Sequence, residues 1–264
     1  MTYLESIIQG ILQGLTEFLP VSSSGHLNIV HGIFGEGDPL PLIFTVILHL
    51  FSLLAVMLVF RKTLIEIIIG FFKAIKDRKS NDNFRLAMLI VVATIPTGLI
   101  GFVFKDFLEK NLSNPLIISM ILFFNGILLY ISKYFKQKDK DITYLDAIII
   151  GIIQGLAITP GISRSGSTIS TAILLGIGRE KAGTFSFLLS IPAILGAVVL
   201  NYKSFLTLES SMLTTYLVGG VFAFVIGYFS LIYLLKLIKK GKFYVFAYYC
   251  WVVSTAAIIY FIQK

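Results

Sequence analysis

Charged side chains are scarce in this 264-residue chain: Asp, Glu, Lys and Arg make up 14% of it, against about 25% in an average soluble domain. Hydrophobic residues make up 56%, which leaves too little polar surface for a water-soluble globule. The same apolar richness excludes an intrinsically disordered chain. The single cysteine, Cys250, excludes a disulfide framework and a cysteine-based metal site. The composition therefore indicates an integral membrane protein.

The formal net charge of +8 is explained by where the basic residues lie. They fall between apolar runs and form no basic patch interleaved with aromatic residues, so nucleic acid is not an expected partner. Six stretches reach the roughly 20 apolar residues that cross a hydrocarbon core. We therefore predict an all-α membrane protein with six transmembrane helices, near residues 42–60, 86–104, 115–134, 182–200, 213–235 and 243–262.

Two further apolar stretches are broken before they could cross a bilayer. Residues 4–19 lead into Pro20, and residues 148–159 lead into Pro160. At 1.5 Å per residue the first helix reaches only about 22 Å, which is short of the ~30 Å core. Each stretch is predicted to be a re-entrant helix–loop–helix that enters and leaves the membrane on one side, over residues 4–34 and 147–178.

The distribution of Lys and Arg predicts the orientation, because cytoplasmic loops collect them. Seventeen of the 22 basic residues fall in the loops 61–85, 133–146 and 236–242 and in residues 179–181. With six spans and two re-entrant segments, these loops all lie on one side, which we assign to the cytoplasm. Both termini then face outward, and the two re-entrant segments enter from opposite sides.

An internal repeat relates the two broken stretches. Gln13-Gly14-Leu15 recurs 141 positions later as Gln154-Gly155-Leu156. Each copy contains one re-entrant segment and three spans, so the copies, about 1–140 and 141–264, are inverted with respect to the bilayer. Inverted repeats with interrupted helices predict a binding site near the midplane, where the repeats meet.

Residues that bind anions cluster at both breaks. The helices that follow begin with small hydroxyl residues and glycine, which expose backbone N–H groups at a positive helix end. Arg164 adds a planar donor suited to phosphate. These features predict a phosphate-binding group composed of Ser22, Ser24, Ser163, Ser165, Gly166 and Thr168.

Glu17 is a candidate metal ligand, because a carboxylate inside hydrocarbon costs at least ~2.5 kcal/mol and requires a partner. Gln13 lies four residues earlier on the same helix face. Mg²⁺ is usually held by one or two carboxylates together with substrate phosphates. A purely structural Glu17–Arg164 salt bridge is the alternative. His26 is a candidate nucleophile, general base or general acid, whereas His49 either lines the cavity or packs within its span.

Two stretches, QGLTEFLPVSSSGH at residues 13–26 and PGISRSGST at residues 160–168, resemble motifs of a known family, the undecaprenyl-diphosphate phosphatases of bacitracin resistance. The first stretch is similar to the family's (E/Q)xxxE motif and the serine–histidine stretch that follows it. The second stretch resembles its PGxSRSxxT motif, and residues 185–192 are similar to a further family segment. The resemblance extends over the whole chain in length, motif order and hydropathy.

The resemblance implies that the protein hydrolyses undecaprenyl diphosphate to undecaprenyl phosphate and inorganic phosphate, recycling the lipid carrier of cell-wall synthesis. It implies an active site on the outer face of the bacterial plasma membrane, Mg²⁺ or Ca²⁺ as cofactor, and a homodimer. By the same resemblance, Glu17, Ser23, His26 and Arg164 are catalytic positions, and Gln13 and Glu17 form the metal motif.

The sequence leaves the nucleophile and the transport alternative open. Ser23 is our preferred nucleophile, with His26 or an activated water as alternatives, and His26 is expected to transfer protons together with Glu17. Opposed re-entrant segments in an inverted repeat also occur in secondary transporters, and a fold does not fix a function. A polyprenyl-phosphate flippase is therefore the alternative function.

Overall fold

The computed structural model describes residues 1–34, 40–112, 114–134, 139–206 and 210–263, which form twelve α-helices. The helices are α1 Tyr3–Thr16, α2 Ser23–Phe34, α3 Leu42–Val59, α4 Arg61–Asp77, α5 Asp82–Asn111, α6 Pro115–Ile131, α7 Tyr144–Leu156, α8 Arg164–Leu174, α9 Arg179–Leu200, α10 Tyr202–Leu206, α11 Ser210–Lys239 and α12 Phe246–Gln263.

Six of these helices are long and apolar enough to cross a membrane: α3, α5, α6, α9, α11 and α12. The spans of α6 and α12 include flanking residues, up to Tyr134 and from Phe243. The six predicted spans are thereby confirmed. Large apolar side chains point outward from them, with Phe102 75% and Val252 71% exposed. A soluble monomer rarely exposes an apolar surface of this extent, so this surface is the one that faces lipid, in a multi-pass membrane protein.

The short helices α1 and α7 begin in the same way in the two repeats. Thr2 caps α1 and Thr143 caps α7, each in a capping box whose carboxylate partner is Glu5 or Asp146. With 14 and 13 residues, these helices reach only about 20 Å. Each gives way to a turn and a second short helix, α2 or α8, which produces the two predicted re-entrant pairs. The second pair begins at Tyr144, slightly before the predicted residue 147.

The helix packing repeats with the halves exchanged. Helix α1 packs against α11, α7 packs against α5, and α6 and α12 pack against each other. A Cβ atom on Gly10 would lie 2.1 Å from the carbonyl oxygen of Gly219, and one on Gly151 would lie 2.1 Å from that of Ala93. Small residues allow such close contact between membrane helices. Gly10 and Gly151 are 141 positions apart, as the inverted repeat requires.

The prediction of a loop over residues 61–85 is wrong, because residues 61–77 form helix α4. One face of α4 is buried at Ile67, Gly70 and Ala74 and packs against α5. The other face exposes Ile69 and Phe72. The basic residues at both ends of this segment indicated a loop, but its apolar residues follow the helical period of 3.6.

Candidate active site

Glu17 lies at the end of α1 and is the centre of the candidate site. Its Oε1 accepts a hydrogen bond from Arg164 Nη2 at 2.7 Å. Its Oε2 accepts one from Ser23 Oγ at 2.6 Å and one from Gln13 Nε2 at 3.0 Å. The side chain is only 5% exposed. Three sequence-predicted residues therefore meet at the buried carboxylate of Glu17, and one of them, Arg164, lies 147 positions away in the chain.

Pro20 and the turn that contains it separate Ser23 from α1 and bring it back to Glu17. Ser22 has a positive φ of 67°, a conformation that costs a non-glycine residue about 1–3 kcal/mol. The chain reverses there, and α2 begins at Ser23. As a result, the Ser23 hydroxyl donates to Glu17 across the turn.

Arg164 is the first residue of α8. The second re-entrant pair therefore places its guanidinium beside Glu17 of the first pair. Among the residues that the structure describes, its buried Nη1 has no hydrogen-bond partner, whereas Nη2 is held by Glu17. A guanidinium has donors in a fixed fork. One nitrogen anchors the group to the protein, and the other is left to bind an acceptor such as a phosphate oxygen.

The two turns share a capping pattern that uses several of the predicted phosphate ligands. Ser22 Oγ accepts from the N–H of Gly25, and Ser163 Oγ accepts from that of Gly166. Ser22 Oγ also lies 3.4 Å from Ser24 Oγ, and Ser163 Oγ lies 3.2 Å from Ser165 Oγ.

Ser165 and Thr168 donate to carbonyl oxygens of the protein. The hydroxyl of Ser165 bonds the carbonyl of Phe18 at 2.8 Å, and that of Thr168 bonds the carbonyl of Arg164 at 2.8 Å. Since a hydroxyl carries a single proton, neither residue has a proton left for phosphate in this conformation. Ser165 instead joins the two turns to each other.

His26 lies on α2 and is 4% exposed. Its Nδ1 lies 2.8 Å from the carbonyl oxygen of Ser22, and its Nε2 lies 3.0 Å from the hydroxyl of Tyr249. The expectation that His26 acts together with Glu17 is therefore not matched by a direct contact: the ring nitrogens bond other groups.

The chain is similar to known proteins over nearly its whole length. The family model for Bacitracin resistance protein BacA matches residues 6–256. The chain belongs to this family. It is 43% identical to the undecaprenyl-diphosphatase of Alkaliphilus metalliredigens, over 98% of this chain and 99% of the relative. It is 44% identical to that of Treponema denticola (99% and 98%) and 40% identical to that of Desulforapulum autotrophicum (98% of each).

In this member of the BacA family, the structure adds three residues to the site: His49, which the sequence left open between cavity lining and packing, and Asn125 and Tyr249, which it did not single out. His49 Nε2 on α3 lies 3.4 Å from Glu17 Oε2. Asn125 on α6 donates to the carbonyl of Pro20 and accepts from the N–H of Ser163, so it joins both turns. Tyr249 on α12 bonds His26. The available signal was a polar group inside an apolar span, which His49 and Asn125 carry.

The resemblance assigns Gln13 and Glu17 to a metal. These two residues could hold a cation only if phosphate oxygens supplied further ligands. In the described part of the chain, the buried Oε1 of Gln13 has no hydrogen-bond partner, and no group of three or more His, Cys, Asp or Glu residues could enclose a metal ion. Mg²⁺ and Ca²⁺ take oxygen ligands. Gln13 Oε1 and the carboxylate of Glu17 are thus a partial donor set, which substrate phosphates would complete.

Proposed function

We infer that this protein is an undecaprenyl-diphosphate phosphatase, which hydrolyses undecaprenyl diphosphate to undecaprenyl phosphate and inorganic phosphate. The family match over nearly the whole chain and the names of its relatives support this activity. The structural observation that carries it is the buried Glu17 carboxylate, which binds Arg164 and the Ser23 hydroxyl at once.

Ser23 is the proposed nucleophile. A nucleophile and its base lie within about 2.6–3.2 Å of each other, and the Ser23 hydroxyl donates to Glu17 at 2.6 Å. As Ser23 Oγ bonds to the terminal phosphorus, its proton passes to Glu17 and the bond to the bridging oxygen breaks. Undecaprenyl phosphate leaves, and water then hydrolyses the phosphoserine to release inorganic phosphate.

Arg164 is the proposed phosphate clamp. Phosphoryl transfer depends on positioning and on neutralising charge on the phosphate oxygens. Nη2 keeps the guanidinium on Glu17 while the unpartnered Nη1 binds the terminal phosphate. The serine hydroxyls at the turns, Ser22, Ser24 and Ser163, are proposed as further donors, together with the positive ends of α2 and of α8, where Gly166 lies.

Gln13 and Glu17 would hold Mg²⁺ or Ca²⁺ through Oε1 of the amide and the carboxylate. A bound divalent cation supplies neutralisation of the diphosphate charge. His26 is the proposed group for proton transfer to or from the phosphate.

The orientation, location and assembly of the protein are also proposals. The 17 basic residues on one side favour a cytoplasmic assignment for that side. The active site then opens outward from the bacterial plasma membrane, where released lipid carrier is recycled for cell-wall synthesis. The homodimer implied by the resemblance remains a prediction. The names of the relatives given above refer to hydrolysis and not to lipid transport.

The test is a phosphate-release assay on undecaprenyl diphosphate with purified protein in detergent. Ser23→Ala should lower kcat at least about 10²-fold, while Ser119→Ala should be near wild type, because in the described part of the chain that buried hydroxyl bonds its own helix at Pro115. EDTA should abolish turnover, and Mg²⁺ or Ca²⁺ should restore it. Full activity in Ser23→Ala would reject Ser23 and leave His26 or water, which His26→Ala then separates.

The flippase alternative is tested in proteoliposomes. We expect phosphate release without net movement of the lipid between leaflets. Lipid movement without phosphate release would reject the phosphatase.

A further inference from the structure

Among the residues that the structure describes, the His26 ring nitrogens have two hydrogen-bond partners, and they come from opposite repeats. Nδ1 faces the Ser22 carbonyl oxygen at 2.8 Å, and Nε2 faces the hydroxyl of Tyr249 on α12 at 3.0 Å. A carbonyl oxygen only accepts hydrogen bonds, so Nδ1 carries the proton of the neutral ring. Nε2 then presents its lone pair, and the hydroxyl of Tyr249 is the donor.

The two contacts together fix the orientation of the imidazole. With Ser22 alone, a single hydrogen bond would hold the ring against turning about its Cα–Cβ and Cβ–Cγ bonds. The second bond at Nε2 stops this rotation. The two rings also stack, with planes 12° apart and centroids 5.5 Å apart. His26 is buried, whereas Tyr249 remains 44% exposed, so the tyrosine links the buried imidazole to the surface of the bundle.

We propose that Tyr249 is a positioning residue for His26, holding the imidazole as the Nδ1–H tautomer with Nε2 as the acceptor of its hydroxyl hydrogen bond. The proposal rests on the proposed function, since it concerns the histidine assigned there to proton transfer. Tautomer and orientation decide whether an imidazole can accept a proton at a given atom. Helix α12 of the second repeat thereby positions a reactive group of the first.

Tyr249→Phe is the sharpest variant, because it keeps the ring and removes only the hydroxyl. We expect kcat for phosphate release to fall about tenfold with KM within about twofold, since a displaced proton-transfer group slows the chemical step more than it weakens binding. Tyr248→Phe is the matched control. That tyrosine is on the same helix and its ring contacts Tyr130 and Trp251 instead, so both constants should stay near wild type.

Histidine-selective ¹⁵N NMR reports the protonation and hydrogen bonding of each ring nitrogen of His26. The Nε2 signal would not change if Tyr249 only stabilised the fold. The chain has three histidines, and comparison with His26→Gln identifies the His26 signals. In the wild type we expect a protonated Nδ1 and an unprotonated, hydrogen-bonded Nε2. In Tyr249→Phe the Nε2 signal should shift toward that of a free lone pair, while Nδ1 stays protonated against Ser22.

An unchanged kcat in Tyr249→Phe would overturn the proposal, and so would a lowered kcat with an unchanged Nε2 signal. A lowered kcat together with a shifted Nε2 signal supports it. Failure of the proposed function has a different signature, namely no phosphate release from the wild type itself. The NMR comparison would then still decide whether Tyr249 holds His26.

Discussion

The turn after α1 and the turn after α7 have the same construction and different chemistry. Both follow a helix that starts with a Thr capping box, and both pack through a glycine against a long helix of the other repeat. Yet the position of Glu17 is Ile158 in the second copy, and the position of Ser23 is Arg164. The repeat thus gives both turns the same helical scaffold. The site depends on the equivalent positions at which the side chains of the two turns differ.

This asymmetry explains how two re-entrant segments form one site. The first turn contributes a carboxylate, a hydroxyl and an imidazole, and the second contributes a guanidinium. A buried Glu or Arg without its partner would leave an uncompensated charge. Each turn therefore requires the other, and the Glu17–Arg164 pair joins the repeats as well as forming the site.

The largest expected effect comes from the asymmetric position. Glu17→Gln should lower kcat at least about 10²-fold, because it removes the negative charge that accepts from Ser23 and Arg164. Ile158→Gln changes the equivalent position of the second repeat and should cost less than about threefold, because that side chain is 43% exposed and outside the described polar contacts of the site.

Phosphate release measures both variants, and thermal unfolding in detergent shows whether each is folded. Equal losses of phosphate release in the two folded variants would contradict the different chemical roles of the two turns.

An intermediate effect is expected where the repeats are alike. Gly10→Ala and Gly151→Ala each place a Cβ atom 2.1 Å from a backbone carbonyl oxygen, and overpacking of this kind costs about 1–3 kcal/mol. Both should lower the unfolding temperature in detergent by similar amounts. Gly98→Ala and Gly196→Ala are the controls, because a Cβ there meets nothing within 4 Å. If Gly10→Ala and Gly98→Ala unfolded at the same temperature, the close packing of Gly10 against α11 would be contradicted.

The smallest effect is expected at the helix starts. Thr2→Ala and Thr143→Ala each remove a capping box, which costs about 1 kcal/mol of local stability. Hydrogen exchange at the N–H groups of Glu5 and Asp146 should become faster in the respective variants, and phosphate release should change by less than about twofold. A large loss of activity in either variant would show that the caps affect the site beyond their own helices.

Much of the fold and part of the site follow from local sequence. Six apolar spans, two proline-broken helices and the 141-residue repeat could be predicted because hydropathy and helix length are local properties. Glu17 and Arg164 could be singled out because charge is costly at membrane depth. Helix α4 was not predicted, because the basic residues at its ends resemble those of a loop and hide its amphipathic period.

The contacts of the site could not be read from spacing. His49 and Tyr249 lie on α3 and α12, far in sequence from the residues that they contact. Asn125 joins both turns from α6. Each of these contacts depends on how the long helices cross, and helix crossing is set by packing against neighbours rather than by any one segment.

The sequence by itself determined that this chain lies in a membrane, where it crosses, which segments turn back and which motifs carry the chemistry. These features depend on transfer of residues out of water, which acts residue by residue. Only the tertiary structure decided that Glu17 accepts from Ser23 and Arg164, that Ser165 and Thr168 donate to carbonyls, and that His26 bonds Tyr249. Hydrogen bonds require specific distances and directions, and these arise when the two inverted halves pack together.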